Sequence, residues 1–125
     1  MRPLHACSCS KAIAAFTEPE FQDCIINGTL KAYTEHTKTT EADLRADFAR
    51  IVQRGFADCD QEIDLGIASV AAPVSVGNIG ATFSVGAVGP IRRFGTEYRA
   101  EIGIKLMNLA NRVSGAIQLC NVAEV

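Results

Sequence analysis

The sequence predicts one α+β domain in which helices pack on one face of an antiparallel sheet and a long helix ends the chain. Apolar residues recur at helical spacing through residues 8–56, whereas residues 67–88 are rich in valine, isoleucine, alanine and threonine and follow the two-residue period of strands. Helical spacing returns after Thr96. Helices followed by a hairpin and a further helix are typical of α+β folds.

Two short helices are predicted first. Residues 8–16 form an alanine-rich stretch for which Ser8 is a candidate N-cap. Residues 17–20 read Thr-Glu-Pro-Glu, a capping box with proline in the first turn, and Asn27-Gly28 supplies the stop of this second helix.

A third helix is the best marked of the first half. Thr40 can cap it, acidic residues follow at its positive end, and Gly55 ends it. Its apolar residues lie three and four positions apart, at Leu44, Phe48, Ile51 and Val52.

Two antiparallel strands are predicted at residues 67–76 and 79–88, joined by a tight turn at Gly77-Asn78. One parity gives an apolar face for helices to cover: Ala68, Val70, Ala72, Val74 and Val76, with Ile79, Ala81, Phe83 and Val85. The other parity carries small polar residues in place of charges: Ser69, Thr82, Ser84 and Gly86. A shallow cup is one explanation of this second face.

A long amphipathic helix is predicted to close the chain. Gly89-Pro90 ends the second strand and Thr96 can cap the helix. Apolar residues then run at helical spacing, at Tyr98, Ile102, Leu106, Leu109, Val113 and Ile117. No internal repeat or linker-like stretch divides the 125 residues, so one core is expected.

Composition excludes several classes of protein. The chain is 48% hydrophobic and has a mean hydropathy of +0.14, so it can fold, but no apolar run reaches the roughly 18 residues that span a bilayer. We therefore expect a cytoplasmic protein without a membrane partner. Lys and Arg number 12 against 14 Asp and Glu, which gives a net charge of -2 and argues against direct binding to nucleic acid. The five cysteines are odd in number and unevenly spaced, so reduced thiols are expected.

The order of several short motifs resembles a known family. They run from about Pro3 to the carboxyl end: Pro3-Leu4-His5-Ala6, Lys11-Ala12, Tyr33-Thr34, Arg54-Gly55-Phe56, Glu62, Gly66, Ala71-Ala72-Pro73-Val74, Gly89-Pro90 and Arg93. Together these resemble the effector-binding domains of IclR-type transcriptional regulators.

The resemblance implies regulation, not catalysis, and no cofactor. Family members carry an amino-terminal winged helix-turn-helix followed by a GAF-like sensing domain, so residues 1–125 are expected to be part of the sensing domain, with the DNA-binding domain and the first part of the sensing domain absent. Operator DNA would be bound only through the absent domain. Members are generally dimers or dimers of dimers that respond to small organic molecules, often carboxylates or aromatic acids of catabolic pathways, so a small organic acid effector and a homodimer or homotetramer are expected.

The resemblance also implies a ligand site. Backbone amides of residues 7–10, at the turn and helix start, would face the effector, which suits an anion because helix N-termini are electropositive. Where the family has an acidic residue this chain has Cys59, and that loss of a carboxylate favours an anionic effector. The predicted ligand-binding residues are Ser8, Cys9, Ser10, Cys59, Ile67, Ser69, Ser84 and Gly86.

Alternative functions remain open at this point. Cys7 and Cys9, with Cys59 near them, could form a redox sensor or a small Cys-dependent enzyme, or could bind zinc together with His5 or His36. A C-x-C pair without a second pair is a weak zinc signal, so no metal and no catalytic residue is predicted. Residues 58–64 are acidic but lack a calcium-loop pattern, and are predicted to be strand edge and turn. A purely structural assembly domain is the last alternative.

Overall fold

The part of the chain that the structure describes folds as four helices and a three-stranded antiparallel sheet. A computed structural model describes residues 4–75 and 81–123, with side chains for residues 4–75 and 83–117. In chain order the elements are α1 (Ser8–Ala15), α2 (Pro19–Asn27), α3 (Glu41–Arg54), β1 (Ala57–Asp60), β2 (Ile67–Ser75), β3 (Ala81–Pro90) and α4 (Thr96–Ala123). The α+β class, the antiparallel sheet and the long carboxyl-terminal helix are confirmed.

The sheet has the order β1-β2-β3, so β2 is its central strand. Ser69 of β2 lies between Cys59 of β1 and Val88 of β3, and Ala71 lies between Ala57 and Gly86. β1 was predicted only as a strand edge within an acidic stretch, not as a separate element. The predicted turn at Gly77-Asn78 lies outside the described residues.

Helices lie on both faces of this sheet, which corrects the expectation that they pack on one face. Val70, Ala72 and Val74 form a core with the apolar side of α4. Residues of the opposite parity, Ala57 and Ala71, belong to a second core with α1, α2 and α3. The face predicted to be small and polar is therefore covered by α1, because small side chains let a helix approach closely.

The helix ends show which of the predicted capping residues cap a helix in the structure. Thr40 caps α3 as predicted, its Oγ1 accepting a hydrogen bond from the Asp43 amide at 3.2 Å. Gly55 ends that helix in the left-handed conformation, with φ of 91°. The capping box at residues 17–20 does not form, since Glu18 is the N-cap and makes no side-chain capping bond. Ser8 is also not a cap, because the N-cap of α1 is Cys7 and Ser8 is the first helical residue.

The start of α4 is tied to β1 by an ion pair. The buried Arg99 donates to Asp58 at 3.1 Å and to Asp60 at 3.2 Å. Further along α4, Gly103 lies directly against the ring of Phe56. Within the described residues, no helix is both long enough and apolar enough to cross a membrane.

Candidate functional site

A cavity of about 240 Å³ lies between the start of α1 and strands β2 and β3, and we call it the α1 cavity. Its lining residues are Cys7, Ser8, Cys9, Ile63, Ser69, Gly86, Ala87 and Val88. A smaller side cavity of about 50 Å³ adjoins it, lined by Cys59, Ile63, Asp64, Ile67, Ser69 and Val88. The two cavities share Ile63, Ser69 and Val88. They therefore form one concave region over Ser69 and its two partners in the sheet, Cys59 and Val88.

Most of the predicted ligand-binding residues surround this region. Those that line the α1 cavity are Ser8, Cys9, Ser69 and Gly86. Those that line the side cavity are Cys59, Ile67 and again Ser69. Ser10 and Ser84 line neither cavity. Ser84 pairs with Pro73, four residues along β2 from Ser69, which is a distance of about 13 Å.

Several lining residues were not in the predicted set. Val88 could have been found, because it shares a face with Ser69 once the register of the hairpin is known. Ile63 and Asp64 lie in the loop between β1 and β2, where no periodic pattern marks which side chains turn inward. Cys7 was considered for its amide, whereas the structure places it in the cavity wall.

A hydrogen bond between two serines holds the start of α1 against the sheet. Ser8 Oγ lies 2.8 Å from Ser69 Oγ, and either hydroxyl can donate. Gly86 makes this close approach possible, since a Cβ there would lie 3.0 Å from the Val70 carbonyl oxygen and 3.1 Å from Cys9 Sγ. The wall of the α1 cavity thus depends on small residues at two strand positions.

The first turn of α1 gives the cavity an electropositive end. The first amides of a helix lack intrahelical acceptors and sit at the positive end of its dipole. No acidic residue lies in the first turn of α1, and none of the residues lining the α1 cavity is acidic or basic. An anion in this cavity would therefore meet the partial positive charge of these amides, but it would share them with the Cys7 side chain, whose pKa they lower, and Asp64 lines the adjoining side cavity.

Two lining cysteines have opposite titration behaviour. The pKa of the Cys7 thiol is lowered to about 5, first by the neighbouring Cys9 thiol and also by the amides of Ser10 and Cys9, while burial opposes the shift. Burial, followed by the charge of Glu62, raises the pKa of the Cys59 thiol. The four cysteines with described side chains are all thiols, not disulfides.

A buried ion cluster lies behind α1, and the sequence analysis missed it. Lys11 Nζ donates to Asp47 at 2.7 Å, to both oxygens of Glu62 at 3.0 and 3.1 Å, and to the Asp58 carbonyl at 3.2 Å. The Lys11 and Asp47 side chains are 0% and 1% exposed, so neither charge is shared with water. Burial lowers the pKa of Lys11, but the charges of Glu62 and Asp47 outweigh it and leave that pKa raised.

The zinc hypothesis finds no geometric support. The part of the chain that the structure describes contains no group of three or more His, Cys, Asp or Glu residues able to hold a metal ion. His5 Nε2 instead lies 2.8 Å from the Lys31 carbonyl oxygen. The presence of the α1 cavity also weighs against a purely structural assembly domain.

A family match accompanies this fold and cavity. Residues 1–115 match the model of the family described as Bacterial transcriptional regulator IclR C-terminal, and the chain belongs to that family. The family is one of bacterial transcriptional regulators.

Known relatives agree with this assignment. The chain is 27% identical over 113 residues to the transcriptional repressor IclR of Escherichia coli strain K12, covering 90% of this chain and 41% of that protein. Its fold is similar to that of the Agrobacterium tumefaciens repressor BlcR, with a TM-score of 0.87 at 17% identity over 94% of this chain and 48% of that one. The chain thus spans under half the length of these two relatives.

A third relative has a ligand in its structure. The inducer-binding domain of the PobR transcription factor from Acinetobacter, a double mutant in complex with 3-hydroxybenzoic acid, has a TM-score of 0.78 at 25% identity, over 90% of this chain and 66% of that one. This chain therefore corresponds to the effector-binding region of an IclR-type regulator.

Proposed function

We propose that the α1 cavity binds a small carboxylate and that the chain is the sensing part of an IclR-type regulator of catabolic genes. The observation that carries the proposal is the position of the cavity, which opens onto the first turn of α1 and onto the Ser8 and Ser69 hydroxyls. A carboxylate there would accept hydrogen bonds from helix amides and from a serine hydroxyl without needing a buried cation. The acid bound by the PobR domain supports this ligand class.

The size of the cavity limits the effector. A volume of about 240 Å³ lies just below the roughly 300–1,000 Å³ of pockets that hold drug-sized ligands. Ile63, Ala87 and Val88 supply the apolar part of the wall. We therefore expect an acid with a short or single-ring carbon skeleton, whose apolar part contacts these three residues while its carboxylate faces α1.

The arrangement of the whole protein belongs to the same proposal. Operator DNA would be bound by a winged helix-turn-helix outside this chain, and the regulator would act in the cytoplasm as a homodimer or homotetramer. The chain spans 41% of the Escherichia coli repressor, which leaves ample length in such a protein for the DNA-binding domain and the rest of the sensing domain.

Replacing Ser69 by valine should weaken carboxylate binding. Valine is larger than serine by about one methyl group and removes a hydroxyl donor, and leaving a buried polar ligand group unpaired costs about 1–3 kcal/mol. Isothermal titration of the reduced chain with a panel of small carboxylates, including 3-hydroxybenzoate, would measure the loss. Each acid is paired with its neutral amide, which should bind more weakly if the charge is recognised.

Ser84→Val is the matched control, because Ser84 lies on the same face of the sheet but lines neither cavity. It should bind like the parent chain. Equal affinity of the Ser69→Val chain and the parent, with both folded by circular dichroism, would show that this face is not the effector site.

A further inference from the structure

We propose that Cys7 and Cys9 are a thiol redox switch, forming a reversible disulfide in the wall of the α1 cavity when the protein meets a hydroperoxide. This inference goes beyond the proposed function, since disulfide formation does not depend on which effector binds or on whether one binds.

The two sulfurs are placed for this reaction. Both cysteines line the same cavity, Cys7 as the N-cap of α1 and Cys9 in its first turn. Residues two apart have Cα atoms no more than about 7 Å from each other, close to the upper limit of 6.8 Å for disulfides, and a helix start brings them nearer. The Cys9 side chain is also the largest influence on the titration of Cys7, which requires the two thiols to be neighbours.

The cavity gives a small oxidant access to a buried thiol. Cys7 is only 4% exposed, but it lines the α1 cavity, which is open to solvent. The lowered pKa of Cys7 means that its thiolate predominates at neutral pH, and the thiolate is the reactive form. Cys59 is a natural comparison, because it is equally buried and lines the adjoining side cavity, but its pKa is raised.

The reaction proceeds in two steps. The Cys7 thiolate attacks one oxygen of the hydroperoxide, the O–O bond breaks, and the other oxygen leaves as alkoxide or hydroxide and takes up a proton. Cys7 is oxidised to a sulfenic acid and the peroxide is reduced. The Cys9 thiolate then attacks the Cys7 sulfur, the S–O bond breaks, and hydroxide leaves and takes up the proton that Cys9 released. The products are a disulfide, one alcohol or water molecule, and one further water molecule.

Ring closure would change the start of α1. Ser8 lies between the two cysteines, and its hydroxyl bonds to Ser69 across the cavity. The Cys7 carbonyl also accepts the first helical hydrogen bond, from the Lys11 amide at 3.0 Å. A small ring through Cys7, Ser8 and Cys9 alters the backbone angles of Ser8, so both contacts must adjust. If the α1 cavity is the effector site, as proposed above, oxidation would therefore change effector affinity.

The test uses the chain with Cys24 and Cys120 replaced by serine, which suppresses crosslinks between molecules. Cys7 and Cys9 lie in one tryptic peptide that ends at Lys11, separate from Cys59. After treatment with hydrogen peroxide, mass spectrometry should show that this peptide has lost two hydrogens, and dithiothreitol should restore them. In the same background Cys9→Ser should stop at the Cys7 sulfenic acid, which dimedone traps, and the matched control Cys59→Ser should form the disulfide like its parent.

Two results would overturn the proposal: a peptide that keeps its hydrogens while the Cys59 thiol is oxidised, or a Cys9→Ser chain that accumulates no Cys7 sulfenic acid. If the serine variants do not fold, the unsubstituted chain is alkylated with iodoacetamide at pH 6 instead. Cys7 should then be labelled well before Cys59, and the reverse order would overturn the proposal. Effector titrations are made on the reduced chain, so failure of the redox switch leaves the proposed function standing, and the converse also holds.

Discussion

At the scale of the residue, Lys11 ties α1 to two other segments of the fold. It is fully buried and meets two carboxylates, Asp47 from α3 and Glu62 from the loop after β1. Lys38 and Arg50 approach the same carboxylates from outside, at 3.4 Å from Glu62 and 2.7 Å from Asp47. Moving charges out of water costs several kcal/mol per ion, so the cluster is stable only while its members compensate one another.

Replacing Lys11 by methionine should therefore destabilise the fold by about 3–5 kcal/mol, because it leaves buried carboxylates without their central cation. Urea denaturation followed by circular dichroism at pH 7 would measure this as a fall in the midpoint. Arg45→Met is the control, since exposed Arg45 pairs with Asp23 and Glu41 on the surface and its loss should hardly move the midpoint.

Acid pH should narrow the difference in the free energy of unfolding between the Lys11→Met chain and its parent. In the parent, burial raises the pKa of Asp47, but Lys11 and Arg50 outweigh it and leave that pKa lowered. Its contribution to stability is thus present above about pH 4 and is lost as the pH falls through the folded value. In the variant Asp47 keeps Arg50 but loses the buried Lys11 cation, so its pKa should be less lowered and acid pH should cost the variant less stability than it costs the parent. A difference in the free energy of unfolding that stays constant from pH 7 to pH 4 would contradict this account of the cluster.

At the scale of the element, two glycines of α4 should respond oppositely to alanine. A Cβ at Gly103 would lie 2.6 Å from ring atoms of the buried Phe56, whereas a Cβ at Gly115 meets nothing within 4 Å. Overpacking costs about 1–3 kcal/mol, while alanine in an open helix position gains about 0.5–1 kcal/mol over glycine. Gly103→Ala should lower the urea midpoint and Gly115→Ala should raise it. A rise in both would mean that α4 can move away from Phe56 at little cost.

The sequence predicts an element well where one local interaction determines it. Thr40 caps α3 and Gly55 ends it because both signals act within a single turn. Ser8 does not cap α1, because its hydroxyl forms a hydrogen bond with Ser69, which lies 61 residues away. No local pattern in the sequence predicts that contact. The capping box at residues 17–20 failed for a similar reason, because Thr17 Oγ1 donates backwards to the Ala14 carbonyl oxygen.

Packing of the sheet was harder to predict than its strands. The parity of β2 correctly gave Val70, Ala72 and Val74 as one buried face. Helices were expected on one face only, with a shallow cup as one explanation of the second face, but Ala71 and Gly86 are small enough for α1 to cover that face. β1 has only four residues, two of them acidic, so its sequence does not show the alternating pattern of a strand. The Lys11 cluster joins three segments that are distant in the sequence, namely α1, α3 and the loop after β1. Both features depend on tertiary contacts, which a single sequence does not display.

At the scale of the whole molecule, the chain by itself should not bind duplex DNA. α1 and α2 are joined by only three residues, as are the two helices of a helix-turn-helix. However, α2 carries Glu20 and Asp23 and contains no Lys or Arg to contact the phosphates of DNA. The net charge of the chain is -2. Fluorescence anisotropy with a labelled random duplex at physiological salt should show no change up to micromolar protein. Binding that weakens as salt is raised would show an electrostatic DNA surface in this domain.

The Lys11 cluster also has a consequence for the order of folding. An isolated helix of eight residues is not stable in water, so α1 becomes helical only when the rest of the domain holds it. Lys11 bonds to residues 36 and 51 positions away, and such contacts require large loops to close first. The hydrogen-bonded amides of α1, from Lys11 onward, should therefore exchange with solvent only when the domain unfolds as a whole. A ligand held at the start of α1 would then stabilise the entire domain, not one segment of it.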